Sequence, residues 1–142
     1  MSSLFPRAKK LSVLTRTAQE AAEALHVDLG RIAKSLVFYD VATNQPVLII
    51  ASGTNRVDKA KVGDYLGFKI KTAGPDYCLQ ITGYAVGGVP PYGHKKPIRT
   101  LLDKDLLQYD TIYAAAGTPD SLFPVSPQKL IKLAKAEVVS IC

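Results

Sequence analysis

The chain has few of the residues that build metal centres, disulfide frameworks or membrane anchors. Its 142 residues include two cysteines, two histidines and no tryptophan. Neither Cys78 nor Cys142 has a metal-ligand spacing to a histidine, which excludes a structural zinc site. The longest strongly apolar run, residues 47–51, is far too short to span a bilayer, and residues 1–11 lack the apolar stretch of a signal peptide. We therefore expect a soluble, cytoplasmic protein that needs no metal or cofactor.

Positive charge is in excess. The 18 lysines and arginines outnumber the 12 aspartates and glutamates, and residues 1–71 carry 11 of the basic against 6 of the acidic side chains. Such an excess favours an anionic partner such as nucleic acid or phosphate, although a basic surface also serves solubility alone. The basic side chains that stand close together in sequence are Arg56, Lys59, Lys61, Lys69, Lys71, Lys95, Lys96 and Arg99.

The length and patterning predict a single α+β domain over residues 15–142, preceded by an arm or short leading element at 1–14. Helical spacing and capping residues predict helices at 17–25, 57–66, 75–81 and 127–135. Their expected caps are Thr17, Gly67 and Ser126, and the last helix is expected to turn Leu130, Ile131 and Leu133 inward. Apolar or alternating runs predict strands at 35–41, 46–51, 68–72, 98–102, 111–116, 123–125 and 138–141, the first two as a hairpin.

A glycine- and proline-rich loop is the most distinctive segment. Residues 83–93 read GYAVGGVPPYG, with four glycines and two adjacent prolines. Paired glycines allow a ligand to approach the main chain, and prolines stiffen the loop, so exposed N–H groups there could hold an oxyanion or a phosphate. A structural turn between two elements is the plain alternative. No Gly-Lys-Ser/Thr follows, so this is not a Walker loop.

Three other stretches are candidate binding positions. Lys34 stands just before a buried strand and either reaches the surface or points into a cleft. Asn55 and Arg56 follow the end of a strand, where Asn55 or Asp58 could instead cap a helix. The chain after a predicted strand has small residues near Gly117. These residues either leave room for a ligand or allow close packing.

A nucleophile dyad is missing. No serine lies in a Gly-x-Ser-x-Gly elbow, and neither histidine has a carboxylate partner nearby in sequence. His94 follows the glycine loop, where it lines a site or is simply solvated. Cys78 is expected to pack in the core as a small apolar residue.

These segments together resemble the YbaK-like family, which includes free-standing aminoacyl-tRNA deacylases and the editing (insertion) domain of bacterial prolyl-tRNA synthetase. The resemblance covers about residues 15–142 and rests on AAEAL at 21–25, GRIAKSLVF at 30–38, RVD at 56–58, the 83–93 loop and AAG at 115–117, in the family's order. It implies a curved, mostly antiparallel mixed sheet flanked by helices. It also implies hydrolysis of the ester between a wrongly attached amino acid and the terminal adenosine of tRNA.

The resemblance also implies residue roles. Lys34 matches the family's essential lysine, and Gly87 and Gly88 match the main-chain loop that holds the ester carbonyl or terminal ribose, so Lys34 and Gly88 are the expected catalytic positions. Gly117 matches the glycine of the aminoacyl pocket. The expected substrate-binding residues are Asn55, Arg56, Gly87, Val89, His94, Gly117, Thr118 and Pro119. After Gly117 the chain reads TPDSLFP in place of the GKRG-type segment of the family's cysteinyl-tRNA deacylases. This departure leaves alanine, serine, threonine or another small residue open beside cysteine.

We therefore expect a trans-editing hydrolase that acts on the acceptor end of a mischarged aminoacyl-tRNA without a side-chain nucleophile. The sequence leaves open whether a synthetase docks and whether the protein is a monomer or a homodimer. Two other functions compete with this one. A non-catalytic module of the same fold could hold tRNA ends or small ligands, and an enzyme of this fold could act on a different small ester.

Overall fold

The computed structural model describes residues 9–10, 18–118 and 121–142. The strands are β1 (Lys9–Lys10), β2 (Ile32–Asp40), β3 (Pro46–Ser52), β4 (Ile70–Thr72), β5 (Arg99–Asp103), β6 (Ile112–Ala115), β7 (Ser121–Val125) and β8 (Glu137–Val139). The helices are α1 (Ala18–Leu25), α2 (Lys59–Leu66), α3 (Pro75–Thr82) and α4 (Pro127–Ala134). Short 3-10 helices, Leu29–Arg31 and Lys104–Gln108, precede β2 and follow β5. The predicted α+β class is confirmed.

A single mixed sheet organises the described chain. Its strand order is β1-β7-β6-β2-β3-β5-β8, and β4 pairs with β2 beside this path. The predicted β2–β3 hairpin is confirmed, with Ala33 opposite Ser52 and Tyr39 opposite Pro46. Antiparallel pairing also joins β1 to β7, β2 to β4 and β6 to β7, whereas β2–β6, β3–β5 and β5–β8 are parallel. The parallel pairs follow from crossovers that carry the chain over a face of the sheet.

Apolar side chains cover both faces of this sheet. One face buries Val37, Leu48, Ile50 and Leu102 against α3, α4 and the loop after α3. The other buries alternate residues of the same strands, among them Phe38, Val47, Ile49, Ala51 and Leu101, against α2. Because β3 is buried on both faces, it reads as a continuous apolar run rather than an alternating one.

Several local predictions are confirmed at the helix ends. Asp58 caps α2 by accepting from the Lys61 N–H at 3.1 Å, and Gly67 ends that helix with φ of +88°. Ser126 caps α4 by accepting from the Lys129 N–H at 3.2 Å. The inward orientation of Leu133 is wrong, because its side chain is 43% exposed while Leu130 takes the buried position. The Thr17 cap lies outside the described residues.

One edge of β2 is interrupted. Toward β6 the pairing ends at Ala33, opposite Ala114, and toward β4 it begins at Phe38, opposite Thr72. Between these points the Ala73 N–H donates to the Val37 carbonyl at 3.0 Å. The main chain around Ser35 therefore faces a gap in the sheet, and the site described next lies in that gap.

Candidate functional site

A cavity of about 380 Å³ opens at the gap beside β2. It is lined by five consecutive residues of β2 together with residues from the start of α2 and the segment before it, the end of β4, the turn before α3, α3 and the glycine-rich loop. These lining residues are Lys34, Ser35, Leu36, Val37, Phe38, Arg56, Val57, Lys59, Thr72, Ala73, Cys78, Val86, Gly87 and Val89. The structure thus brings the predicted Lys34, Arg56, Gly87 and Val89 to one cavity, although they come from separate parts of the chain.

Lys34 carries a positive charge to this cavity from a half-buried position on β2. Burial lowers the pKa of its ammonium, the neighbouring Arg56 guanidinium lowers it further, and the Asp103 carboxylate opposes both effects. Within the described part of the chain, the Lys34 ammonium has no hydrogen-bond partner and no ion pair within contact distance. A cation held without a direct partner beside an open cavity is available to a ligand.

Asp103 is the acidic residue whose charge raises the pKa of Lys34. Several donors form hydrogen bonds to its carboxylate. Its side chain is 1% exposed and accepts hydrogen bonds from the Ser52 N–H at 3.0 Å and the Asp105 N–H at 2.9 Å. The Asn55 amide nitrogen donates to Asp103 at 2.8 Å and to Asp105 at 2.7 Å. Asn55, predicted to bind substrate, is therefore committed to two carboxylates and is not among the residues that line the cavity.

Asn55→Ala should destabilise the fold by about 1–3 kcal/mol, because it leaves the buried Asp103 carboxylate short of a donor beside a second carboxylate. Urea unfolding measures the change. Gln19→Ala is the matched control, since it removes an exposed amide-to-carboxylate bond of 3.0 Å to Glu23 and should shift stability by about 0.5 kcal/mol or less. Equal effects of the two variants would contradict the role assigned to Asn55.

The glycine-rich loop borders the cavity through Val86, Gly87 and Val89. Residues 85–88 form a turn in which the Gly88 N–H donates to the Ala85 carbonyl at 3.0 Å and Gly87 has φ of +89°. The Gly88 N–H is thus already bonded within the loop. Among the described residues, the N–H groups of Gly87 and Val89 have no hydrogen-bond partner, and both residues line the cavity. Because buried N–H groups are seldom left unpaired, that of Val89, a residue 2% exposed, marks a place for a ligand acceptor.

Gly88 contributes through its lack of a side chain. A Cβ at this position would lie 2.9 Å from the Thr118 Cα and 3.1 Å from the Gly117 carbonyl oxygen. The loop therefore packs main chain to main chain against the segment after β6, which places Gly88 beside Gly117 and Thr118. Gly117 has φ of +111°, a conformation that favours glycine. Pro119 lies outside the described residues.

His94 has a structural place in the loop. Its Nε2–H donates to the Pro90 carbonyl at 2.6 Å, and the residue lines a different cavity, beside Arg99 and Glu137. Burial lowers the pKa of the imidazole, and the bond to Pro90 partly offsets that effect. His94 thus braces the loop in its neutral form and is not among the residues that line the Lys34 cavity.

Two cavity residues carry groups that could act as nucleophiles, and sequence reasoning assigned neither of them to a site. Cys78 is buried in the core as predicted, and it also lines the cavity, where burial raises the pKa of its thiol. The Ser35 hydroxyl is buried and has no hydrogen-bond partner in the described chain. Nothing in the sequence around Cys78 or Ser35 indicated a place at the cavity, because that place depends on the interrupted edge of β2.

Neither a metal-binding cluster nor a membrane-spanning helix occurs among the described residues. No group of three or more His, Cys, Asp or Glu side chains within the described ranges could hold a metal ion. None of the helices in residues 18–118 and 121–142 has the length and apolar character needed to cross a membrane.

Known proteins share both sequence and fold with this chain. The chain is 34% identical over 127 residues to YwhH of Bacillus subtilis, covering 89% of this chain and 80% of that protein. It is 29% identical to EbsC of Enterococcus faecalis, a proposed Cys-tRNA(Pro)/Cys-tRNA(Cys) deacylase, over 88% of this chain and 76% of that one. A crystal structure described as a proposed trans-editing enzyme for prolyl-tRNA synthetase superposes with a TM-score of 0.89 at 41% identity, covering 94% of this chain and 84% of that one. The model of the aminoacyl-tRNA editing domain family matches residues 13–133, and the chain belongs to that family.

Proposed function

We propose that this protein hydrolyses the ester bond of mischarged aminoacyl-tRNA in trans and that it accepts small amino acids. The observation that carries the proposal is the cavity in which Lys34 and the unpaired N–H groups of Gly87 and Val89 are brought together. Membership of the editing-domain family supports the reaction class. The related proteins named for deacylation and trans-editing match most of their own length, which supports action outside a synthetase.

The proposed chemistry uses the main chain and one cation. The N–H groups of Gly87 and Val89 donate to the ester carbonyl oxygen and stabilise the negative charge that develops on it. Lys34 holds the acceptor end and adds positive charge nearby. Water attacks the carbonyl carbon and passes its proton, directly or through the free ribose hydroxyl, to the ribose oxygen. The bond from that carbon to the ribose oxygen breaks, and the oxygen leaves with a proton as the tRNA hydroxyl.

A covalent intermediate on the protein is disfavoured by the state of its two candidate nucleophiles. The pKa of the Cys78 thiol is raised by burial, which reduces the thiolate fraction, and its Sγ is directed to the Tyr84 carbonyl at 3.7 Å. The Ser35 hydroxyl is buried with no base beside it. Direct attack by water therefore fits the site better.

The size of the cavity limits which aminoacyl groups it accepts. About 380 Å³ is at the low end for ligand pockets, and this space has to take the acyl group together with the terminal adenosine that carries it. Its lining includes Val37, Val57, Val86 and Val89. Walls of this kind exclude a bulky acyl group sterically but separate two small ones by only about 1–3 kcal/mol per methylene. The proposed substrates are therefore alanyl-, seryl-, threonyl- or cysteinyl-tRNA.

A panel of aminoacylated tRNAs tests the proposal. Purified protein is incubated with alanyl-, seryl-, threonyl-, cysteinyl-, leucyl- and phenylalanyl-tRNA, and ester loss is compared with the rate without protein. We expect acceleration of about tenfold or more for at least one small amino acid and none for leucine or phenylalanine. No acceleration on any substrate would contradict the proposed function.

A binding module remains the second candidate. Among the described residues, the cavity lining includes no carboxylate and no histidine, which are the usual general acids and bases. Tight binding of charged tRNA that protects the ester, in the same panel, would favour this alternative.

A further inference from the structure

The interrupted edge of β2 leaves main-chain groups without strand partners. The Ile32 carbonyl accepts from the Gly53 N–H on the β3 side, and the Asp40 N–H donates to Gln45 on that same side. Because the direction alternates along a strand, the N–H and C=O of odd-numbered residues point to the opposite edge. There Ala33 is paired with β6, and the Val37 carbonyl is bonded to Ala73. The N–H and C=O of Ser35, side by side, and the N–H of Val37 remain with no partner in the described ladder.

The cavity runs along this unpaired edge. Side chains of consecutive strand residues point to opposite faces, so a pocket on one face meets every second residue. Here five in a row, residues 34–38, line the same cavity, as expected for a space in the plane of the sheet. Ser35 is half-buried while its hydroxyl is fully buried, so its exposed surface comes from its other atoms.

The charge and shape of the space favour one class of occupant. Among the described residues, three cations, Lys34, Arg56 and Lys59, line it and no carboxylate does, which favours a ring attached to a phosphate. Apolar residues close the gap from both faces of the sheet, with Val57 belonging to one cluster and Val89 to the other. A slot of this shape suits a flat ring that continues the plane of the sheet.

We propose that the slot binds the terminal adenine of tRNA through the main chain of Ser35. The Ser35 N–H donates to adenine N1, the adenine 6-amino group donates to the Ser35 carbonyl, and the 5′ phosphate lies toward Arg56 and Lys59. The base thus takes the place of the missing strand, as ligands do when they pair with an open sheet edge. The inference rests on the proposed function, because it names how the acceptor end of that substrate is held.

Changes made in the ligand test this assignment, since no side-chain substitution removes a main-chain N–H without disturbing the strand. The trinucleotide 5′-CCA is compared with 5′-CCI, whose inosine carries a hydrogen on N1 and an oxygen in place of the amino group. The reversed pattern sets donor against donor and acceptor against acceptor, so we expect at least about tenfold weaker binding in an NMR titration. The matched control is 7-deazaadenosine at the 3′ end, which keeps N1 and the amino group and should bind as adenosine does.

Equal binding of 5′-CCA and 5′-CCI would overturn the inference, as would loss of binding with 7-deazaadenosine or no binding of 5′-CCA at millimolar concentration. A second experiment compares deacylation of alanylated minihelices ending in CCA and CCI, with the ratio of their kcat/KM values expected to be about ten or more. Equal rates would contradict the role of Ser35 and leave the proposed function standing. If neither minihelix is deacylated, the function fails and the trinucleotide titration still decides the adenine site.

Discussion

Lys34→Ala should reduce deacylation by about 100-fold or more while leaving the protein folded, because it removes the cation that lies in the cavity without a direct partner. The loss is measured as ester cleavage on the most reactive aminoacyl-tRNA of the panel. Lys34→Met keeps most of the apolar stem and should lose activity to the same degree. Full activity in both variants would show that this charge has no part in the reaction.

Removing the Lys34 charge should lower activity but should not lower the stability of the fold. Burial and Arg56 hold the pKa of Lys34 below its value in the unfolded chain, so the charged ammonium costs folding free energy at every pH below that lowered pKa. Lys34→Met removes this cost, and its thermal midpoint should equal or exceed that of the unmodified protein. Lys132→Ala, an exposed lysine on α4 that does not line this cavity, serves as the control for the loss of one positive charge.

The pH profile adds a readout that a merely structural lysine would not give. If the ammonium form acts, activity above the uncatalysed rate should fall as pH rises through the lowered pKa of Lys34. Arg56→Gln removes the second cause of that lowering, so the descending limb should move to higher pH. A rate that instead rises through the same range would indicate the neutral amine acting as a base.

Gly88→Ala should be the most damaging change of a single methyl group in the loop. Its Cβ would lie 2.9 Å from the Thr118 Cα and 3.0 Å from the Thr118 carbonyl carbon, and main-chain atoms cannot turn aside as a flexible side chain can. The loop must therefore move away from the segment after β6, and the N–H groups of Gly87 and Val89 move with it. We expect kcat/KM to fall by about 100-fold, since small displacements of positioned groups are costly.

Gly74→Ala is the matched control for Gly88→Ala. A Cβ at Gly74 meets no atom within 4 Å, and this glycine at the start of α3 has an ordinary φ of −75°. Activity should be unchanged, with a stability loss of at most about 1 kcal/mol for the weaker helix cap. Equal activity of the two variants would show that close packing at Gly88 does not position the loop.

Helix caps and the β2–β3 hairpin were predicted correctly because each depends on residues that lie close together in the sequence. Asp58, Gly67 and Ser126 cap helices through hydrogen bonds or turns within four residues. The hairpin of β2 and β3 likewise needs only a short turn between two apolar runs. The prediction that Leu133 faces inward was wrong. The position of α4 against the sheet decides which of its apolar residues are buried, and that position is not a local property of the sequence.

The amino-acid order by itself determined the α+β class, the excess of positive charge, the irregular glycine loop and the family-like order of Lys34, Arg56 and the loop. Only the tertiary structure decided that the edge of β2 is open at Ser35, that the Gly88 N–H is already bonded, and that Asn55 holds two carboxylates. The physical reason is distance along the chain. Strand register and contacts such as Asn55 to Asp103 join residues tens of positions apart, and nothing in either local segment specifies the partner.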